Sequence, residues 1–381
     1  MKSSNLNILF ILLLMISYSQ IYCTFQFSLF SKINSKYKEN NLVISPLSIY
    51  QAISLVTNGA NEQTQKELLY LLDNKDIEEI NMINMKILNK IKDKSSIEIA
   101  NAIMSKTAPL NTFTEIAKNT FNSEILPLKS ANQINKWCAK QTHGKINKII
   151  DKLDPLTYML VLNAIYFKGE WMYPFEEYMT KKQIFYNMNK EQKNIDTMEI
   201  TKYFNYFEDS NLQAIELRFI KESTSAIIIL PNEKIEINEF IDILDKDNEY
   251  FYTIVNNMKD NKVNLRLPKF EINYEKKLKK VLKAMGINLP FSKAADFSKI
   301  RIQNDLYIDE IIHKTYLKIN EQGTEAAAVT AVIINTKGAF IPKQEKIYYM
   351  HVNRPFLFIL RNNQLPKNYD IIFISKFGEL N

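Results

Sequence analysis

Glycine occurs only seven times in 381 residues, histidine three times, cysteine and tryptophan twice each. Each scarcity excludes something. So few glycines leave no Gly-rich phosphate loop anywhere in the chain. Two cysteines cannot build a disulfide framework, and the paired C-x-x-C spacing of zinc and redox sites is absent. Of the two, Cys23 lies at the edge of an N-terminal apolar stretch. Cys138 follows Trp137 in a helical pattern and reads as a buried thiol rather than a nucleophile. The histidines are His143, His313 and His351, too few for much metal chemistry, and neither G-x-S-x-G nor H-E-x-x-H occurs. His313 sits in IIHKTYLKI, an apolar strand pattern in which a buried, hydrogen-bonded imidazole is a simpler reading than a general base. Nothing implies a cofactor, a metal or an enzyme. No N-x-[ST] sequon occurs either, despite abundant Asn.

Charge of one sign is also in short supply. The formal net charge of +7 is scattered over short clusters, which gives mild attraction to polyanions and no nucleic-acid signature. Lys86, Lys90 and Lys94 lie four apart, and YEKKLKKVLKAMGI (274–287) carries five lysines. Weak glycosaminoglycan binding would suit these rows, although a solvated helix face explains them as well. After the N-terminus no apolar run approaches the ~18 residues a membrane span needs, so a soluble, membrane-free monomer is expected. The first residues, MKSSNLNILFILLLMISYSQIYC, have a basic start at Lys2, an apolar core from Ile8 to Ile16, and small residues at Ser17 and Ser19. This is signal-peptide anatomy over 1–23, cut near 19–23, for a secreted, extracellular protein. The alternative is an apolar cap on a cytoplasmic or vesicular one.

What the chain does have is apolar residues, 46% of the total, with 12% aromatic. Residues 24–381 therefore suffice for one large domain. Apolar spacing predicts helices over 25–38, 46–58, 62–72, 79–94 and 274–287, the second starting at Ser45-Pro46, a cap followed by Pro in the first turn. β-rich runs predict strands over 160–171, 225–231, 262–272 and 354–360. Helices first and strands later point to an α+β fold with large sheets.

One stretch fits neither a core nor an ordinary loop. EQGTEAAAVTAVIINTKGAFIPK (321–343) carries a single charge, Glu325, between Thr324 and Thr336, yet opens on a glycine and closes on Lys337-Gly338. Strand side chains alternate between faces. One parity holds Thr324, Ala326, Ala328, Thr330, Val332, Ile334 and Thr336, all uncharged, the first four small. The other holds Glu325, Ala327, Val329, Ala331, Ile333 and Asn335. The segment can become a strand inside a sheet, with the first parity buried. Lys337, a long cation beside a residue without a side chain, suits a protease pocket with a carboxylate at its base.

EQGTEAAAVTAVIINTK closely resembles the hinge and reactive-centre loop of the inhibitory serpins, the serine protease inhibitors. The resemblance extends, in order, through VISPLSI (43–49), NGANEQTQKEL (58–68), INKWCAKQTHGKI (134–146), LNAIYFKGEW (162–171), LRLPKFEI (265–272), LKAMGI (282–287), HKTYLKINEQGTEAA (313–327) and VNRPFLF (352–358). It implies the serpin fold, with three sheets, eight or nine helices, and a loop spanning about 321–350 over a five-stranded main sheet. It implies a target serine protease as covalent partner, caught as an acyl-enzyme while the cleaved loop inserts between central strands. The native state is then metastable. By the family pattern, Gly323, Thr324, Glu325, Ala326, Ala327 and Ala328 match the hinge, with Glu321 as its anchor. Lys337 and Gly338 flank the reactive bond. Ser45, Ser48, Asn163 and His313 match the cluster beneath the point where the sheet opens, and Trp171 its upper gate. There are two departures. The loop beyond Gly338 is longer than usual, so cleavage after Phe340 stays open, and Ser375 stands where serpins commonly carry Gly. A non-inhibitory carrier or folding factor is the alternative function. Such proteins typically put bulky or charged residues or Pro in the hinge, and this hinge has none.

Overall fold

The computed structural model describes residues 25–73, 76–92, 97–220, 223–324 and 346–380. The first part of the chain gives α1 (Phe25–Tyr37), β1 (Asn41–Ile44), α2 (Pro46–Gly59), α3 (Glu62–Leu71), α4 (Ile77–Lys92), β2 (Ile97–Ser105), α5 (Asn111–Phe121), β3 (Glu124–Pro127) and α6 (Ala131–Gln141). Strands then dominate: β4 (Met159–Phe167), β5 (Lys181–Tyr186), β6 (Gln192–Glu208), β7 (Leu212–Arg218) and β8 (Thr224–Pro231). After α7 (Ile237–Lys246) and α8 (Asn248–Asn257) come β9 (Lys259–Pro268), β10 (Phe270–Lys277), α9 (Lys279–Ala284) and β11 (Glu310–Ile319). The chain closes with β12 (Tyr348–His351), β13 (Phe356–Asn362) and β14 (Ile371–Phe377). The expected α+β class is observed, with nine α-helices among the described residues.

The main sheet has five strands in the order β10-β11-β4-β2-β3. The other two sheets of the expected three are joined into one nine-stranded sheet, because the long β6 pairs along successive stretches with β5, then β9, then β7. Helix α2 lies between the large sheets, touching β14 on one side and β2 and β4 on the other. Its start is fixed by the Ser45 hydroxyl, which accepts the Ser48 amide, and by Pro46 in its first turn. Every residue from Pro46 to Gly59 is buried, the polar Ser48, Gln51, Ser54, Thr57 and Asn58 included. A second apolar layer, Ile134, Trp137 and Cys138 of α6, covers the far side of the main sheet on Leu160, Leu162 and Tyr316. Cys138 is buried there, and burial pushes its thiol up to about 12, so it is no nucleophile.

One helix is corrected. The stretch 274–287 is not helical throughout: β10 runs to Lys277 and only Lys279–Ala284 form α9. The strand buries Phe270, Tyr274 and Lys276 on one parity. A lysine on the inward side hides the alternation, and it is tolerated because its amine meets Glu39 Oε1 at 2.6 Å and lies 3.7 Å from the Tyr37 ring. The single strand expected over 262–272 breaks at Lys269 into β9 and β10, which belong to different sheets. In α4 the apolar stripe turns inward at Ile80, Ile87 and Ile91, while Lys86 and Lys90 stay in solvent.

Candidate functional site at the β4–β11 seam

β4 and β11 are adjacent and parallel, in register from Glu310↔Leu160 through His313↔Asn163 to Tyr316↔Tyr166. Beneath the middle of this seam the structure brings Ser45, Ser48, Asn163 and His313 into one buried network. The Ser45 amide donates to His313 Nε2 at 3.1 Å, so the ring proton sits on Nδ1 and is donated to Asn163 Oδ1 at 2.5 Å. The Ser48 hydroxyl also donates to Asn163 Oδ1, at 2.8 Å, and the Asn163 amide donates back to Ser48 O at 3.1 Å. A further member escaped sequence reasoning. Asn101 Oδ1 accepts from Asn163 Nδ2 at 2.6 Å, and its only signal was a lone amide within IEIANAIMS. The network bridges α2, β2, β4 and β11, so parting the seam means breaking hydrogen bonds that are buried on every side.

Burial alone depresses the His313 pKa to about 3. Above pH 6.5 the imidazole is neutral in folded and unfolded chains alike. As pH falls below 6.5 the unfolded chain takes up a proton that the folded chain resists, and stability drains away until pH about 3, by on the order of 4 kcal/mol. Asp370, raised to about 6 by its burial against the opposing pull of Arg361, acts in the opposite sense between pH 6 and its ordinary 3.8. The test is therefore a comparison: thermal midpoints at fixed scan rate from pH 7 to 4 for the parent and for His313→Gln. Gln can still donate and accept but does not titrate. The parent should lose several degrees more than the variant; parallel curves would remove His313 as the cause.

At the upper end of the seam, β11 passes into the loop. Glu321 is held by Lys269 Nζ at 2.9 Å and by the Thr180 hydroxyl at 2.7 Å. Burial alone would raise the Glu321 carboxyl, but these two hydrogen bonds and the Lys269 charge keep it below the usual range. Neither partner was legible beforehand. Lys269 stood in LRLPKFEI inside what read as a single strand, and Thr180 carried no signal. Trp171, stacked on Phe219 at 4.3 Å, donates its indole N–H to Asn320 O at 3.0 Å and its amide to Gln322 O at 2.9 Å.

Gly323 then adopts φ +133° and bridges to Glu170. A Cβ there would stand 2.1 Å from Gly169 O, so glycine is required by close approach as well as by φ. Thr324, 1% exposed, is docked against the chain just beyond β4. Its amide donates to Gly169 O at 2.8 Å, and its hydroxyl accepts the Gly169 amide at 2.5 Å. The first member of the uncharged parity is thus already inside. Glu325, Ala326, Ala327, Ala328, Lys337, Gly338 and Phe340 lie outside the described residues, as does the segment before Phe25.

The seam, its buried network and the docked start of the loop are set within a chain whose residues 20–378 match the family model "Serpin (serine protease inhibitor)". The chain belongs to the serpins. It is 32% identical over 377 residues to a leukocyte elastase inhibitor of Xenopus laevis, covering 93% of this chain and 98% of the relative. It is 30% identical over 359 residues to intracellular coagulation inhibitor 2 of Tachypleus tridentatus, covering 89% and 86%. The solved thermophilic serpin tengpin, in its native state, superposes with a TM-score of 0.83 at 31% identity, covering 95% of each chain. The two sequence relatives are named as inhibitors, and the family model describes protease inhibitors rather than enzymes. In this serpin Ser375 is fully buried in β14, opposite Val43 and Phe358, and its hydroxyl has no partner among the described residues.

Proposed function

We propose that this serpin is a single-use inhibitor of trypsin-like serine proteases, with Lys337-Gly338 as the bait bond. The observation that carries the reading is the docked Thr324: the first member of the uncharged parity is already held at the top of a seam whose two strands are still paired. In this mechanism the protease serine attacks the Lys337 carbonyl, the Gly338 amine leaves, and an acyl-enzyme remains. The freed upstream limb then extends the strand that Thr324 begins. Carried on in the antiparallel register of Gly323↔Glu170, that strand would bring Thr330 opposite Asn163, offering its hydroxyl to the buried network. The tethered protease is dragged along the sheet before water can complete the reaction.

The small, uncharged hinge supports inhibition over the carrier alternative, since rapid insertion needs side chains that enter without desolvating a charge. The apolar stretch before Phe25 supports secretion, and the exposed lysines of α4 offer a weak glycosaminoglycan contact as an accessory. The test is direct. Incubation with a small panel of serine proteases should give a complex that survives denaturing gels, plus a released C-terminal peptide beginning at Gly338. A peptide beginning at Ile341 would move the bond to follow Phe340, and cleavage without any complex would refute inhibition.

A further inference from the structure

The loop leaves the body at Glu321, tied to Lys269, and the described chain resumes just before Tyr348, which pairs with Val263. Lys269 and Val263 lie along and just beyond the same strand, β9. At about 3.3 Å per residue the two anchors stand roughly 20 Å apart. The gap between them is spanned by β6, β9 and β12. Alternation decides what that small sheet presents. Val263, Leu265, Leu267 and Met350 turn inward and are buried. The other parity faces solvent, in aligned rows: Glu199↔Arg266↔His351, and one step along, Asn264↔Tyr349, with Tyr203 on the adjoining β6 position opposite Lys262.

The middle of this face is rigid. Asn264 donates to Glu199 Oε1 at 2.9 Å and its carbonyl meets His351 Nε2 at 3.3 Å, while Arg266 Nε holds Glu199 Oε2 at 3.1 Å. Two tyrosines flank it: Tyr203 is 47% exposed and Tyr349 61% exposed. A wet sheet face needs no such rings. Large aromatic side chains held on a stiff, hydrogen-bonded frame are what protein interfaces use as anchors. A partner that grips the loop overhangs this face, because both ends of the loop are rooted at its borders. An extended peptide in a cleft is also narrow beside the ~800 Å² that a stable partner usually covers.

Resting on the inhibitory reading above, we infer that the outer face of β6–β9–β12, anchored by Tyr203 and Tyr349, is a second docking surface for the body of the target protease. It sets how fast, and which, proteases are trapped. The bait bond chooses the residue cleaved; this face chooses among enzymes that all cleave after lysine.

The test is the double variant Tyr203→Ala/Tyr349→Ala with the loop untouched, compared with the parent against trypsin and several other lysine-cleaving serine proteases. Trapping stoichiometry and thermal midpoint should hold, while the second-order rate of inhibition falls about tenfold or more for at least one enzyme and unequally across the panel. The Phe/Phe variant should recover most of the loss. Equal rates across the panel, or one uniform loss accompanied by rising stoichiometry, would overturn the assignment. Binding to trypsin whose catalytic serine is replaced by alanine gives a readout that needs no trap. Weaker binding by the double variant supports the face, and equal binding removes it. Failure of the inhibitory reading is distinguishable, since the parent itself would then form no covalent complex.

Discussion

Thr324→Arg should turn this serpin from an inhibitor into a substrate. Thr324 is fully enclosed, its hydroxyl and amide both engaged with Gly169. Arginine at that position must either leave the guanidinium unpaired in a dry site, at several kcal/mol, or undock the hinge. Both outcomes slow entry of the strand. In the proposed mechanism trapping is a race between insertion and hydrolysis of the acyl-enzyme, and only about 1.4 kcal/mol of extra barrier slows insertion tenfold. The expected result is rapid cleavage at the same bond, stoichiometry raised at least about tenfold, and little complex on denaturing gels. Thr324→Ser keeps the hydroxyl and should trap nearly as the parent does. A Thr324→Arg protein that still gave full-yield complexes would sink the parity argument, because it would mean that this face of the strand need not be buried.

Lys337→Ala should abolish complexes with trypsin-like proteases altogether. A lysine side chain can reach the carboxylate at the base of such a pocket and an alanine cannot, and losing a buried charge-assisted contact of that kind removes roughly three orders of magnitude in rate or more. The hinge and seam are untouched, so thermal stability should stay the same and an enzyme that prefers small residues should now be trapped. Complexes that persist unchanged with trypsin would place the bond elsewhere, and Phe340→Ala is then the informative variant.

Much of this was legible in the sequence because the relevant patterns are local. The burial of Thr324, first member of the uncharged parity, follows from the two-residue repeat of a strand, and the cap at Ser45-Pro46 from backbone valence at a helix start. His313 could be judged structural from its apolar flanks, and it lies fully buried in β11. What stayed hidden was long-range. Lys276 disguised β10 as a helix because its partners, Glu39 and Tyr37, come from the far end of the chain. Lys269 and Thr180 could not be assigned to Glu321, since a side-chain ion pair across sheet boundaries leaves no periodic trace. The tyrosine face of β6, β9 and β12 became visible only when three separated strands were aligned.

The polarity of the main sheet carries one more consequence. From β10 to β2 its joints read antiparallel, parallel, antiparallel, and the odd joint is the β11–β4 pair. The other parallel joint, β2–β3, lies at the edge and involves a strand of four residues. A strand entering between β11 and β4 from the Thr324 end would run opposite to both. One slanted parallel ladder would give way to two perpendicular antiparallel ones, which bind slightly better per residue and engage the newcomer's backbone on both edges. From β10 to β2 the sheet is one strand short of up-and-down alternation, and the direction of these strands marks where the missing one belongs.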